Sequence, residues 1–116
     1  MSNRERYGFT LNLKDDPELI EEYEAYHKEV WPEVEATFEE AGIVDMEIYR
    51  YGTRLFMFLE VDETFSFETW DRINRESEKV QEWEELMWQY QAPLEDAEKG
   101  EKWKQMKRIY DYSRPE

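Results

Sequence analysis

The amino-acid sequence predicts an α+β domain with elements in the order β-α-β-β-α-β, and three observations carry that reading. Tyr7, Phe9, Leu11 and Leu13 alternate with Gly8, Thr10 and Asn12, the period-2 pattern of a half-buried strand. After Asp15-Asp16-Pro17 the apolar and aromatic residues switch to spacings of three and four, the signature of an amphipathic helix. Two further alternating runs then flank Gly52-Thr53, a hairpin turn between neighbouring strands.

Each element has a local cause. Asp15-Asp16-Pro17 supplies a capping carboxylate and a proline at the first helical position, with Glu18, Glu21 and Glu22 near the positive end of the helix dipole. Ile20, Tyr23, His27, Val30, Val34, Thr37 and Ala41 form one inward stripe, Pro32 kinks or splits the helix near Trp31, and Gly42 ends it. Val44, Met46 and Ile48 then alternate with Asp45, Glu47 and Tyr49, and Leu55, Met57, Leu59 and Val61 with Phe56, Phe58 and Glu60. Ser66 or Thr64 caps a second helical region holding Trp70, Ile73, Val80, Trp83, Leu86 and Met87, broken near Ser77 and closed by Pro93. The polar stretch from Gln91 to Lys102, with Gly100 near its end, reads as a loop, and Met106 to Tyr112 as the last strand.

This order in one domain spanning residues 1–116 implies a ferredoxin-like sandwich, a four-stranded antiparallel sheet with both helical regions on one face. The opposite face then carries Tyr49, Phe56, Phe58 and Ile109, too apolar to be left in water. A second copy packed sheet to sheet would cover it, so the expected assembly is a homodimer of the dimeric α/β-barrel type.

Composition narrows the partners. A formal charge of −15 disfavours nucleic acid and anionic membrane surfaces, which recruit lysine and arginine. The absence of cysteine removes disulfides, thiolate catalysis and thiolate metal sites. No apolar run follows Met1-Ser2-Asn3-Arg4-Glu5-Arg6 and none approaches a membrane span, so a cytoplasmic location is expected.

His27 is the one histidine, so imidazole chemistry near neutral pH has one possible seat. It lies one helical turn after Tyr23, which sends a phenol and an imidazole together into the space between helix and sheet. Spacing alone also fits a packed histidine whose nitrogens are satisfied by nearby carbonyls. Five tryptophans are many for this length, and indole faces suit the C–H faces of sugars, yet indoles also serve as core anchors. Paired carboxylates such as Glu39-Glu40 and Glu84-Glu85 read as solvated charge. Neither a metal-ligand cluster nor a glycine-rich phosphate loop is present in the sequence, so no metal and no cofactor is expected.

The run Glu22-Tyr23-x3-His27-x3-Trp31-Pro32-Glu33-Val34, together with Ile48-Tyr49, Trp83, Gln91-x-Pro93-Leu94 and Gly100-Glu101-x-Trp103-x-x-Met106, resembles the L-rhamnose mutarotase family over nearly the whole chain. The resemblance implies a dimeric ferredoxin-like fold and a cofactor-free isomerase that interconverts the α and β anomers of a monosaccharide, L-rhamnose or a related 6-deoxysugar such as L-fucose. It further implies that His27 is the catalytic acid and that Tyr23 and Trp83 bind sugar. Glu84 stands where the family pairs a second tryptophan with the first, and Met46 where it has a sugar-contacting tyrosine. Two other readings of the same architecture are a small dimeric α/β-barrel monooxygenase, with His27 as haem ligand or base, and a non-catalytic ligand-binding module.

Overall fold

The computed structural model describes residues 4–96, 98 and 102–112. Strand β1, Glu5–Leu13, leads into helix α1, Pro17–Tyr26. Asp16 caps that helix, its carboxylate accepting from the backbone N–H groups of Glu18 at 3.0 Å and Leu19 at 3.4 Å. His27 is the residue on which α1 ends. The N–H groups of His27, Lys28 and Glu29 turn back to carbonyls three residues earlier, tightening the last turn.

Helix α2, Pro32–Ala41, then starts afresh. The split falls where proline physics puts it: Pro32 has no N–H to continue the ladder, and its ring pushes Trp31 out of helical conformation, to φ −58° and ψ 132°. Gly42 closes α2 at φ 91°, and its carbonyl accepts from Asp62 N–H at 2.9 Å. A Cβ on Gly42 would stand 2.6 Å from both Asp62 Oδ1 and Thr64 Oγ1, so this position excludes a side chain twice over.

Strands β2, Ile43–Tyr51, and β3, Arg54–Val61, form the expected hairpin, with Tyr51 opposite Arg54. A register shift between Ile43 and Asp45 leaves Val44 without a partner. Val44 therefore drops out of the inward set assigned to it from alternation and is 42% exposed, because a bulge sets two residues against one. Met46 and Ile48, beyond the bulge, align with Leu59 and Met57 as the alternation requires.

The second helical region is also two helices, α3, Phe67–Glu76, and α4, Glu78–Trp88. Ser66 Oγ accepts from Thr69 N–H at 3.1 Å, and Ser77 Oγ accepts from Val80 N–H at 3.2 Å. Ser77 both ends α3 and caps α4, which explains the break.

The sheet order is β2-β3-β1, followed on the outer edge of β1 by two short strands: β4, Gln91–Ala92, and β5, Lys104–Met106. All pairings are antiparallel. The ferredoxin-like order is thus met, with its fourth strand in two pieces: Gln91 and Ala92 pair with Leu13 and Asn12, and Lys104 to Met106 pair with Thr10 to Gly8. Two sequence expectations are corrected. The loop begins after Ala92 rather than at Gln91, and the last strand occupies Lys104–Met106, not Met106 to Tyr112. Beyond Met106 a side chain replaces the ladder: Arg108 Nη2 donates to the Arg6 carbonyl at 2.7 Å, and Arg6 Nη2 reaches Asp111 at 3.3 Å. Gly100, expected within the loop, lies outside the described residues.

Both helix pairs cover one sheet face. Leu13 and Leu55 pack with Tyr23, Val34, Val80, Trp83 and Met87, while Phe9, Met57, Leu59 and Val61 pack with Ala41 and Ile73. Each fully buried aliphatic side chain contributes about 1.5–3 kcal/mol, so this single layer of contacts holds the helices to the sheet. The other face shows Phe56 and Tyr49 partly exposed with ring centroids 6.2 Å apart, and Ile109 almost wholly exposed. Gly8 lets Phe56 lie flat on this face, since a Cβ there would meet its ring at 2.9 Å. Among the described residues no helix is long and apolar enough to cross a membrane.

Candidate functional site

The stripe on α1 brings Tyr23 and His27 together as the sequence spacing requires. Their ring centroids are 4.4 Å apart, with a 40° interplanar angle. His27 Nδ1 lies 2.8 Å from the Tyr23 carbonyl oxygen, which can only accept, so Nδ1 carries the hydrogen and Nε2 keeps its lone pair. Burial pushes the imidazole pKa below its ordinary 6.5, partly offset by that hydrogen bond, and the resting ring is neutral near pH 7.

Trp83, from α4, meets the His27 ring at a centroid distance of 5.6 Å and 70°, edge to face. Trp31 backs Trp83 at 5.2 Å, and Tyr26 approaches it at 6.3 Å. The three residues singled out from sequence therefore form one aromatic cluster. Of the other indoles, Trp70 and Trp103 line the same cavity farther along, while Trp88 lies under Lys102 Nζ at 4.6 Å.

The cluster opens on a cavity of about 800 Å³ between the helices and the sheet, lined by Tyr23, His27, Trp83, Met46 and, among others, Glu84, Gln91 and Lys102. Its walls join aromatic faces to a few polar groups, the usual composition of a small-molecule site. Buried Tyr23 accepts a hydrogen bond from Gln91 Nε2 at 3.3 Å. Desolvation, opposed by that bond and reinforced by the negative charge of Glu84, pushes the phenol up to about 12. Tyr23 is thus a neutral O–H donor throughout the physiological range.

Sequence reasoning missed two features. Gln91, 4% exposed, leaves its Oε1 without a hydrogen-bond partner among the described residues, as Trp70 leaves its Nε1, and each buried orphan is a polar demand on the cavity wall. Glu84 and Lys102 form an ion pair at 2.7 Å on that wall. The sequence marks Gln91 only within the Gln91-x-Pro93-Leu94 run and Glu84 only as the position of the family's second tryptophan; neither the buried amide nor the partner Lys102 has a local signal.

Residues 6–112 match the family model for L-rhamnose mutarotase. The chain is 40% identical over 111 residues to an L-fucose mutarotase from Xanthomonas campestris pv. campestris, covering 94% of this chain and 89% of that protein. It is 30% identical over 89 residues to an L-rhamnose mutarotase from Shigella flexneri, covering 77% of this chain and 78% of that one. In fold it is similar to the crystal structure of an L-rhamnose mutarotase from Formosa agariphila, with a TM-score of 0.68 at 18% identity, over 94% of this chain and 99% of that one. With sequence and fold in agreement over nearly its full length, the chain belongs to the L-rhamnose mutarotase family of sugar isomerases.

Proposed function

We propose that this protein interconverts the α and β anomers of a 6-deoxysugar of the L-fucose and L-rhamnose class, with His27 moving the proton and Tyr23 and Trp83 binding the sugar. The observation that carries the reading is the state of His27: one ring nitrogen is committed to a carbonyl and the other has no partner among the described residues, in a ring that lines an aromatic cavity. L-Fucose is placed first because the relative named for it is 40% identical over 94% of this chain.

Mutarotation opens a hemiacetal and closes it on the other face. Nε2 of neutral His27 takes the proton of the anomeric hydroxyl as the bond from the anomeric carbon to the ring oxygen breaks. The imidazolium so formed gives that proton to the ring oxygen, leaving a free aldehyde. Rotation about the bond to the neighbouring carbon exposes the other carbonyl face, and the same transfers run backwards. His27 therefore accepts before it donates, which refines the acid role expected from the resemblance. Tyr23 donates its O–H to a sugar oxygen, and the indole of Trp83 covers apolar C–H surface. Positioned proton transfer of this kind supplies about 10²–10⁴ in rate.

The protein works as a homodimer in this reading, with Phe56, Tyr49 and Ile109 of the exposed sheet face and tail covered by the second copy. We assign the protein to the cytoplasm, the location expected from its sequence. Two-dimensional exchange NMR on L-fucose and L-rhamnose tests the activity: the wild type raises the anomer exchange rate and folded His27→Ala does not. Equal rates in the two proteins would remove His27 from the mechanism.

A further inference from the structure

We propose that Glu84 is a specificity-determining residue of this cavity, its carboxylate accepting a hydrogen bond from one sugar hydroxyl while Lys102 holds it in position. This deepens the mutarotase reading and rests on it for the class of ligand.

Helix α4 carries Trp83 and Glu84 in succession, so an indole and a carboxylate reach the same cavity from adjacent positions. Lys102 fixes the carboxylate. Its Nζ donates to Glu84 Oε2 at 2.7 Å and to the Glu84 backbone oxygen at 2.9 Å, and it lies 4.6 Å over the Trp88 ring. The lysine side chain is 12% exposed and that of Glu84 45%, so the pair is anchored at its ammonium end while the carboxylate stays open to a ligand. The ammonium is thereby occupied, whereas Glu84 Oε1 receives no hydrogen bond from the described residues.

Three more carboxylates line the cavity, Glu35, Glu39 and Asp45, and none makes a side-chain hydrogen bond or ion pair with the described residues. Glu84 alone among them is held. Its charge is felt by the Tyr23 phenol, which places it electrically within the same site. A fixed acceptor discriminates where a mobile one adapts: epimers present an O–H in different directions, and a held oxygen meets only one of them. A hydroxyl bonded to a charged partner is worth about tenfold or more in affinity.

The test measures KM and kcat by exchange NMR, and Kd by calorimetry, for L-fucose, L-rhamnose and their singly deoxygenated analogues. The proteins are the wild type, Glu84→Gln and Lys102→Met. In Glu84→Gln, Lys102 draws the amide oxygen to itself and turns the NH₂ group towards the sugar, replacing an acceptor by a donor. We expect Glu84→Gln to raise KM and Kd for the better sugar about tenfold or more, with a smaller change in kcat, and to narrow the ratio between the two sugars. For the analogue lacking the hydroxyl in question, wild type and Glu84→Gln bind alike. Lys102→Met shifts the same ratio by less. An unchanged ratio, or an equal loss for every sugar and analogue, overturns the inference, and thermal unfolding confirms that the variants are folded. Should the wild type bind these sugars without speeding their exchange, the catalytic reading falls, while the Kd ratios still decide the role of Glu84.

Discussion

His27 donates its Nδ1–H to the carbonyl of Tyr23, 2.8 Å away, while its ring lies against the phenol of the same residue at 4.4 Å. One residue thereby fixes both the tautomer of the imidazole and the direction in which it faces. The lone pair on Nε2 is the outcome, and the first prediction concerns its titration.

Burial holds the folded pKa of His27 below 6.5, so between that lowered value and about 6.5 the unfolded chain binds more protons than the folded one. Stability from this group is full above pH 6.5 and is lost as pH falls through the folded value. Activity follows the same direction, because the acceptor form of Nε2 disappears on protonation. Thermal unfolding at pH 7 and pH 5 should show a larger drop for the wild type than for His27→Gln, and kcat/KM should have an acid limb with a midpoint below 6.5. A midpoint above that value would contradict the neutral resting ring.

Trp83 is 7% exposed and touches His27, Trp31 and Tyr26, so its removal reaches the whole cluster. Trp83→Ala should cost about 3–5 kcal/mol in chemical denaturation. Trp83→Phe keeps a ring at the site and should remain folded, with a raised KM for the sugar. An unchanged KM in folded Trp83→Phe would leave this indole a purely structural part.

Gly42→Ala should lower stability by at least about 1–2 kcal/mol, the cost of a side chain in left-handed backbone, before the crowding by Asp62 and Thr64 is added. Urea denaturation reads the loss. The kcat of the folded fraction should stay close to that of the wild type, because the crowding falls on Asp62 and Thr64, neither of which lines the cavity.

Phe56→Glu places a charge on the apolar sheet face and should yield a monomer by sedimentation, where a dimer is expected of the wild type. A wild-type protein that is monomeric at micromolar concentration would remove the second copy from the proposal.

What was legible in the sequence shares a cause. Asp16, Pro17, Pro32, Gly42 and Ser66 act on backbone within four residues of themselves, so their meaning survives without knowledge of the fold. The inward stripe through Tyr23 and His27 was legible for the same reason. The last strand was misplaced because alternation marks residues suited to a strand but not those that find an edge: Ile109 fits the pattern, yet Arg108 has already taken the Arg6 carbonyl. Val44 was misassigned because a bulge changes the count on one strand without changing its composition. The bond from Gln91 to Tyr23 and the Glu84–Lys102 pair are contacts between distant segments, and no local signal announces them.

The place where α1 stops has one more consequence. His27 is the residue on which that helix ends, so its ring stands at the negative pole of the helix, tied to the Tyr23 carbonyl of the last turn. A neutral ring feels little of this. The imidazolium that exists for a moment during ring opening feels it fully, with about 0.3–1 kcal/mol available at an exposed helix end and up to about 2 kcal/mol in a partly buried one. The break that Pro32 forces thus leaves a terminus whose dipoles already point at a charge that only the reaction creates.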